Sequence, residues 1–211
     1  MKPEDFIRLI APLAVGEKVR SGVLASITIA QAALESGWGA HAPNNNLFGV
    51  KAREGERSSM QTTKECYGGK WVTTAARFRV YDSWAESIAD HSDFLMRNPR
   101  YRKAGVFTSD YRKSAVALRE AGYATDPEYG NLLIRLIETH TLQQYDKEAM
   151  MIEQLQREVE ELREQLAMPE VPSWATEAVD AAVKAGLVNE PKGRSKDFYA
   201  FLVILHRKGL I

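Results

Sequence analysis

Residues 24–34 are apolar at nearly every position, and the polar exceptions, Ser26, Thr28 and Gln31, are well separated. An apolar run of that length predicts a helix buried on almost all sides. Thr28, Gln31 and Glu35 fall at i, i+3 and i+7 and so share one narrow stripe of it. Gly37 and Gly39 follow directly, which puts Glu35 on the last turn. Ahead of this segment, Phe6, Ile7, Ile10, Leu13 and Ala14 mark the apolar face of a helix over 3–15, started by Pro3 and ended by Gly16. Residues 40–47 read as a loop. The pattern then changes period: 60–67 and 71–81 alternate, and Gly68-Gly69 between them predicts a β-hairpin. Helical periodicity returns with a capping box, Ser83 and Glu86, opening a helix to about residue 97 that Asn98-Pro99 ends. A further helix spans about 109–121 and stops at Gly122, and Asp126 with Pro127 is expected to open the next.

Beyond residue 145 the pattern shifts again. Ile152, Leu155, Val159, Leu162 and Leu166 follow a 3-4-3-4 spacing, the a/d seam of a coiled coil. β-branched residues at a with Leu at d favour two parallel strands, in which Glu158 at g and Arg163 at e pair between chains. A homodimer through residues 147–167 is therefore expected. Residues 168–172 read as a linker, followed by two helices, over 174–185 (capped by Ser173, stopped by Gly186) and 196–208. Two helices of that size bury little surface by themselves.

Composition narrows the functional classes. The 211 residues are 45% hydrophobic, enough for a real core. Lys+Arg and Asp+Glu balance at 28 each, so no global field recruits nucleic acid or a membrane surface. Cys66 is alone, which excludes an intramolecular disulfide. His41, His91, His140 and His206 lack metal-ligand spacing and read as structural or surface residues, so no metal or cofactor is expected. No run has the length of a transmembrane helix. Met1-Lys-Pro-Glu-Asp places acids where a secretory leader carries bases, and predicts cytoplasmic residence until release.

The chemistry converges on Glu35. The C-terminal end of a helix is electronegative, and burial disfavours a charged carboxylate. Both raise its pKa, as a general acid at neutral pH requires. Ala33-Leu-Glu-Ser-Gly-Trp-Gly39 and Asn46-Leu-Phe-Gly-Val-Lys51, then Ala76-Arg-Phe-Arg-Val-Tyr-Asp-Ser-Trp84 and Gly122-Tyr-Ala-Thr-Asp-Pro-Glu-Tyr129, resemble in this order the signature of glycoside hydrolase family 73. These are peptidoglycan N-acetylglucosaminidases of bacterial autolysins, flagellar rod-cap hydrolases and phage lysins, and the resemblance covers about residues 3–145.

With the periodicity, it gives a mainly α (α+β) fold. A lysozyme-like helical domain with a small β-hairpin lobe occupies 1–146, a coiled-coil dimerisation helix 147–167, and a two-helix tail 168–211. The tail is similar to a single S-layer-homology-like unit, which implies wall binding. The resemblance implies that Glu35 protonates the departing glycosidic oxygen. It matches Glu65, in Thr62-Thr-Lys-Glu65, to a hairpin glutamate implicated in catalysis, with Glu54 and Glu56 as alternatives, and places Tyr123 in the active site. Asn46, Phe48 and Tyr129 are its expected substrate-binding residues, whereas Asn44 and Asn45 read as turn residues. Trp38, Trp71 and Trp84 read as packing rather than sugar platforms. The implied reaction is endo-hydrolysis of the β-1,4 link between N-acetylglucosamine and N-acetylmuramic acid in peptidoglycan, by a phage or prophage endolysin. Its rivals are a lytic transglycosylase and a non-catalytic wall-binding or structural protein.

Overall fold

The computed structural model describes residues 1–67 and 70–211, with the side chains of 63–67, 70–72 and 165 outside the description. Two compact units divide the chain, Met1–Ile152 and Glu153–Ile211. The first is a helical body with one hairpin. α1 (Pro3–Ser21) and α2 (Ala25–Ser36) pack on each other, joined by α3 (Trp84–Arg97), α4 (Pro99–Ala104), α5 (Tyr111–Glu120) and α6 (Tyr129–Thr139). α7 (Gln143–Leu166) follows.

As its apolar run predicts, α2 is the central helix: every residue from Ala25 to Ala33 is buried. α1 differs from expectation at its end. It continues through Gly16 to Ser21 and stops at Gly22, whose φ of 79° lets its N–H bond back to the Lys18 carbonyl. A mid-helix glycine costs only about 1 kcal/mol. Burial of Ala14, Val15, Glu17 and Lys18 on both sides of Gly16 outweighs it. α6 also starts later than expected, at Tyr129, because Asp126 folds a turn instead, its carboxylate accepting from the Glu128 N–H at 2.8 Å.

The end of α2 is a run of left-handed residues, Gly37, Trp38 and Gly39, with φ of 57°, 59° and 75°. At Gly39 a side chain would be strained and would also meet the Trp84 ring at 3.0 Å and Phe6 at 3.1 Å. Trp38 lies edge-on to Phe6, with ring centroids 5.9 Å apart, and to His140, at 4.8 Å. It is a packing residue. The opposite end of α2 is capped from α7: Asp146 accepts from the Ser26 N–H at 2.9 Å.

β1 (Ser58–Tyr67) and β2 (Lys70–Arg79) form the antiparallel hairpin, in the register Ser58↔Arg79 to Tyr67↔Lys70. The expected Gly68-Gly69 turn lies outside the described residues. Arg79 ties the base of the hairpin to the body, reaching Glu56 at 2.6 Å and Asp90 on α3 at 2.6 Å. The pairs are only partly exposed, and Asp90 also accepts from the Tyr81 hydroxyl at 2.7 Å.

The first unit runs to Ile152, and Ala149 and Ile152 of α7 join its core. In the second unit, α8 (Thr176–Lys184) and α9 (Lys196–Arg207) pack around Val179, Tyr199 and Leu202. Where the expected linker begins, β3 (Ala167–Met168) pairs with β4 (Arg194–Ser195). The Tyr199 hydroxyl donates to the Pro191 carbonyl at 2.7 Å and so pins the loop before α9. Leu155, Val159, Leu162 and Leu166 of α7 are exposed within the chain. No helix among the described residues is long and apolar enough to cross a membrane.

If Asp146 anchors α2, Asp146→Ala leaves the first amides of a buried helix unsatisfied. Chemical denaturation should then show a loss of about 1–2 kcal/mol, with the helical spectrum unchanged. A loss below a few tenths would dismiss the cap as a structural element.

Candidate active site

Glu35 ends α2 at the meeting point of two clefts. One, of about 690 Å³, is lined by Glu35, His41, Asn46, Gln61, Thr62 and Phe78. The other, of about 400 Å³, is lined by Glu35, Phe48, Lys51, Arg100 and Tyr123 among others. The segment 46–51 walls both, held along β2 by the Arg79 N–H bond to the Val50 carbonyl at 2.9 Å and by the Ala52 N–H bond to the Arg77 carbonyl at 2.8 Å. Among the described side chains lining the two clefts, Glu35 alone is a carboxylic acid.

The carboxyl group is held from the body side. Tyr129, buried at the start of α6, donates its hydroxyl to Glu35 Oε1 at 3.0 Å. Gln31 Nε2, one turn back on α2, donates to that hydroxyl oxygen at 2.9 Å. With the phenolic oxygen accepting from Gln31, its proton is directed at Glu35. Oε1 is thereby occupied, and among the described residues Oε2 is left to carry the acid proton.

Glu35 is solvent-exposed as a residue, yet protein crowded around its carboxyl raises its pKa. Desolvation is the larger cause, and the Tyr129 hydrogen bond, which favours the charged form, opposes it. Tyr123 and Tyr129 are both raised, first by burial, so both remain neutral phenols.

Tyr123 sits on the turn before α6 and lines the second cleft, its ring stacked on Tyr129 with centroids 5.6 Å apart. Phe48 is buried and stacked on His91 at 4.0 Å, and His91 lies edge-on to Tyr123 at 5.8 Å. The structure thus brings Glu35, Tyr123, Tyr129 and Phe48 together.

Asn46 lines the first cleft with its amide already committed. Nδ2 donates to the carbonyls of Val50 at 3.0 Å and Arg79 at 3.1 Å, and Oδ1 accepts from the Val50 N–H at 2.9 Å. Its role in the structure is to shape the wall, not to offer those donors to a sugar. Asn44 and Asn45 sit in left-handed turns, as expected. Of the alternative carboxylates, Glu56 is held by Arg79 and by the Arg53 N–H, and Glu54 is exposed. The backbone of Glu65 pairs with Val72 in the hairpin, while its side chain lies outside the described residues.

Two functional features escaped the sequence reading. Tyr129, expected to bind substrate, is the hydrogen-bond partner of the acid. Gln31 was visible on the same polar stripe as Glu35, one turn away, and that spacing was the signal for a bridging group. His91 was expected as structural, and it is buried with neither ring nitrogen hydrogen-bonded among the described residues. No group of three metal-ligating side chains occurs among the described residues.

Comparison with known proteins bears on this arrangement. The chain is 41% identical over 133 residues to the exo-glucosaminidase LytG of Bacillus subtilis, covering 59% of this chain and 47% of LytG. It is 41% identical over 146 residues to the peptidoglycan hydrolase FlgJ of Salmonella typhimurium, covering 64% and 45%. The chain thus spans about half the length of the curated relatives it matches. The catalytic domain of the autolysin Auto from Listeria monocytogenes superposes with a TM-score of 0.61 at 33% identity, over 68% of this chain and 86% of that one. Residues 11–142 match the family model described as Glucosaminidase, mannosyl-glycoprotein endo-beta-N-acetylglucosaminidase. That match takes in Glu35, both clefts and the tyrosine pair, and the chain belongs to the glucosaminidase family of glycoside hydrolases.

Proposed function

We propose that the chain is a peptidoglycan hydrolase, an endo-β-N-acetylglucosaminidase that cuts the β-1,4 link between N-acetylglucosamine and N-acetylmuramic acid. The observation that carries this reading is the Glu35 carboxyl at the junction of two clefts, with Tyr129 donating to one of its oxygens. A glycan strand threaded through both clefts presents one glycosidic oxygen to that acid. Glu35 protonates the oxygen as the bond breaks and positive charge develops on the sugar. Glu65, by the family motif, activates water or stabilises that charge, and neutral Tyr123 offers a hydroxyl to the same region. The substrate's own acetamido group is an alternative internal nucleophile.

Around this core we place the rest of the chain. The exposed leucine seam of α7 supports pairing with a second copy. Two tails presented together gain avidity for a repetitive wall polymer, in keeping with the S-layer-homology-like resemblance of residues 168–211. A phage or prophage endolysin, held in the cytoplasm until the membrane is breached, is the setting proposed; secretion without lysis would contradict it.

Mass analysis of soluble fragments from purified peptidoglycan tests the reaction. Oligomeric fragments ending in reducing N-acetylglucosamine are expected, with Glu35→Gln slower by about 10²–10⁴-fold. Disaccharides alone would make the cut exo-acting. Anhydromuramic ends would make the enzyme a transglycosylase, and no fragments would leave a binding module.

The acid role also predicts a pH dependence. Activity needs protonated Glu35 and falls as pH rises through its elevated pKa. Tyr129→Phe removes the bond that favours the carboxylate, so the basic limb of kcat/KM against pH should move to higher pH. A shift to lower pH, or none, would remove Tyr129 from control of the acid.

For the dimer, light scattering should give twice the chain mass, and Leu155→Glu with Leu162→Glu should halve it while cleavage of soluble glycan persists. A monomeric parent chain would end the coiled-coil reading.

A further inference from the structure

The two clefts that meet at Glu35 differ in charge. The described residues lining the first include no lysine or arginine. The second carries Lys51, Arg53, Arg79 and Arg100 beside the aromatic wall of Tyr101 and Tyr123, in a chain whose net charge is zero. The charge of Arg79 is met by Glu56 and Asp90. Arg53 and Arg100 are exposed. Arg100 is the better placed, because its guanidinium is held without a carboxylate partner among the described residues. It donates to the Tyr101 hydroxyl at 2.7 Å and lies 4.7 Å above that ring, both uncharged contacts. It also borders Gly122, next to Tyr123, with Nη1 3.8 Å from where a glycine Cβ would stand. The buried His91, whose nitrogens have no hydrogen-bond partner among the described residues, lines the same cleft. Burial pulls its pKa down to about 3, so it is a neutral donor and acceptor and not a further cation.

We propose that this second cleft reads a carboxylate on the 3-O substituent that distinguishes muramic acid from glucosamine, with Arg100 as the specificity-determining residue. A guanidinium docked on an aromatic ring presents a fixed pair of donors, the geometry that carboxylates accept. The proposal rests on the peptidoglycan reading and adds a direction to it. The acidic residue lies on the Arg100 side and the neutral N-acetylglucosamine on the His41 and Gln61 side. In a cut that leaves reducing N-acetylglucosamine, the Arg100 side is the leaving-group side, so Glu35 delivers its proton to O4 of the muramic residue. The carboxylate has two sources: the lactyl group itself where the glycan carries no peptide, and the stem peptide where it does.

The test uses the full chain with Glu35→Gln, so that glycans bind without being cut. Calorimetric titration compares three glycans of equal length: peptide-free acidic glycan, peptide-bearing glycan, and neutral N-acetylglucosamine oligomer. Added Arg100→Gln is expected to lower the preference for acidic over neutral glycan by about ten-fold. Arg100→Lys should restore part of it, and added salt should erode the preference of the parent protein. Loss confined to one acidic glycan names the source of the carboxylate. A preference unchanged by Arg100→Gln, or an equal loss toward neutral oligomer, overturns the proposal, the second outcome making Arg100 a plain wall residue. The parent reading fails separately, if unmutated protein makes no new chain ends from peptidoglycan.

Discussion

A carboxylic acid is placed where a helix least favours its ionised form, and the first unit is arranged to hold it there. Glu35 ends a helix that is buried from Ala25 to Ala33, so it cannot move without moving the centre of the core. The helix dipole and the surrounding protein both favour the proton. Asp146 fixes the other end of the helix, and Gly37-Trp38-Gly39 turns the chain away so that the carboxyl faces open space. Gln31 and Tyr129 then decide which oxygen is engaged. The opposition matters: desolvation raises the pKa, while the Tyr129 bond keeps the group orientable and the rise bounded.

The hairpin completes the site from the other side. Arg79 binds its base to Glu56 and to Asp90, and the Asn46 side chain stitches the 46–50 turn to β2. These contacts fix a wall common to both clefts, which meet at Glu35. Charge is distributed asymmetrically between the two clefts, lysine and arginine lining only the second among the described residues.

Much of this was legible in the sequence, for physical reasons that can be named. The apolar run ending in Glu35-Ser-Gly-Trp-Gly gave both the central helix and the place of Glu35 on its last turn, because burial and left-handed glycines leave strong local signatures. The two strands of the hairpin followed from alternation. The reading failed where tertiary contacts override local preference. Gly16 passes through a helix because its neighbours are buried, and Asp126 spends its carboxylate on a turn, delaying α6. The Asn46 amide and the Tyr129 hydroxyl have partners distant in the chain, which no spacing rule supplies, and Asp146 caps a helix 120 residues away. The two-helix tail was found as helices, while the pairing of β3 with β4 was not, since strands of two residues carry no periodicity.

The most direct test of the account is the titration of Glu35 itself. Carbon-13 NMR of the glutamate side-chain carboxyls, with Glu35→Gln to assign the resonance, reads its protonation without substrate. The account predicts a midpoint clearly above the ordinary glutamate value of about 4.3. A midpoint at or below that value would mean that Glu35 is ionised where the enzyme works, and that the acid must be sought elsewhere.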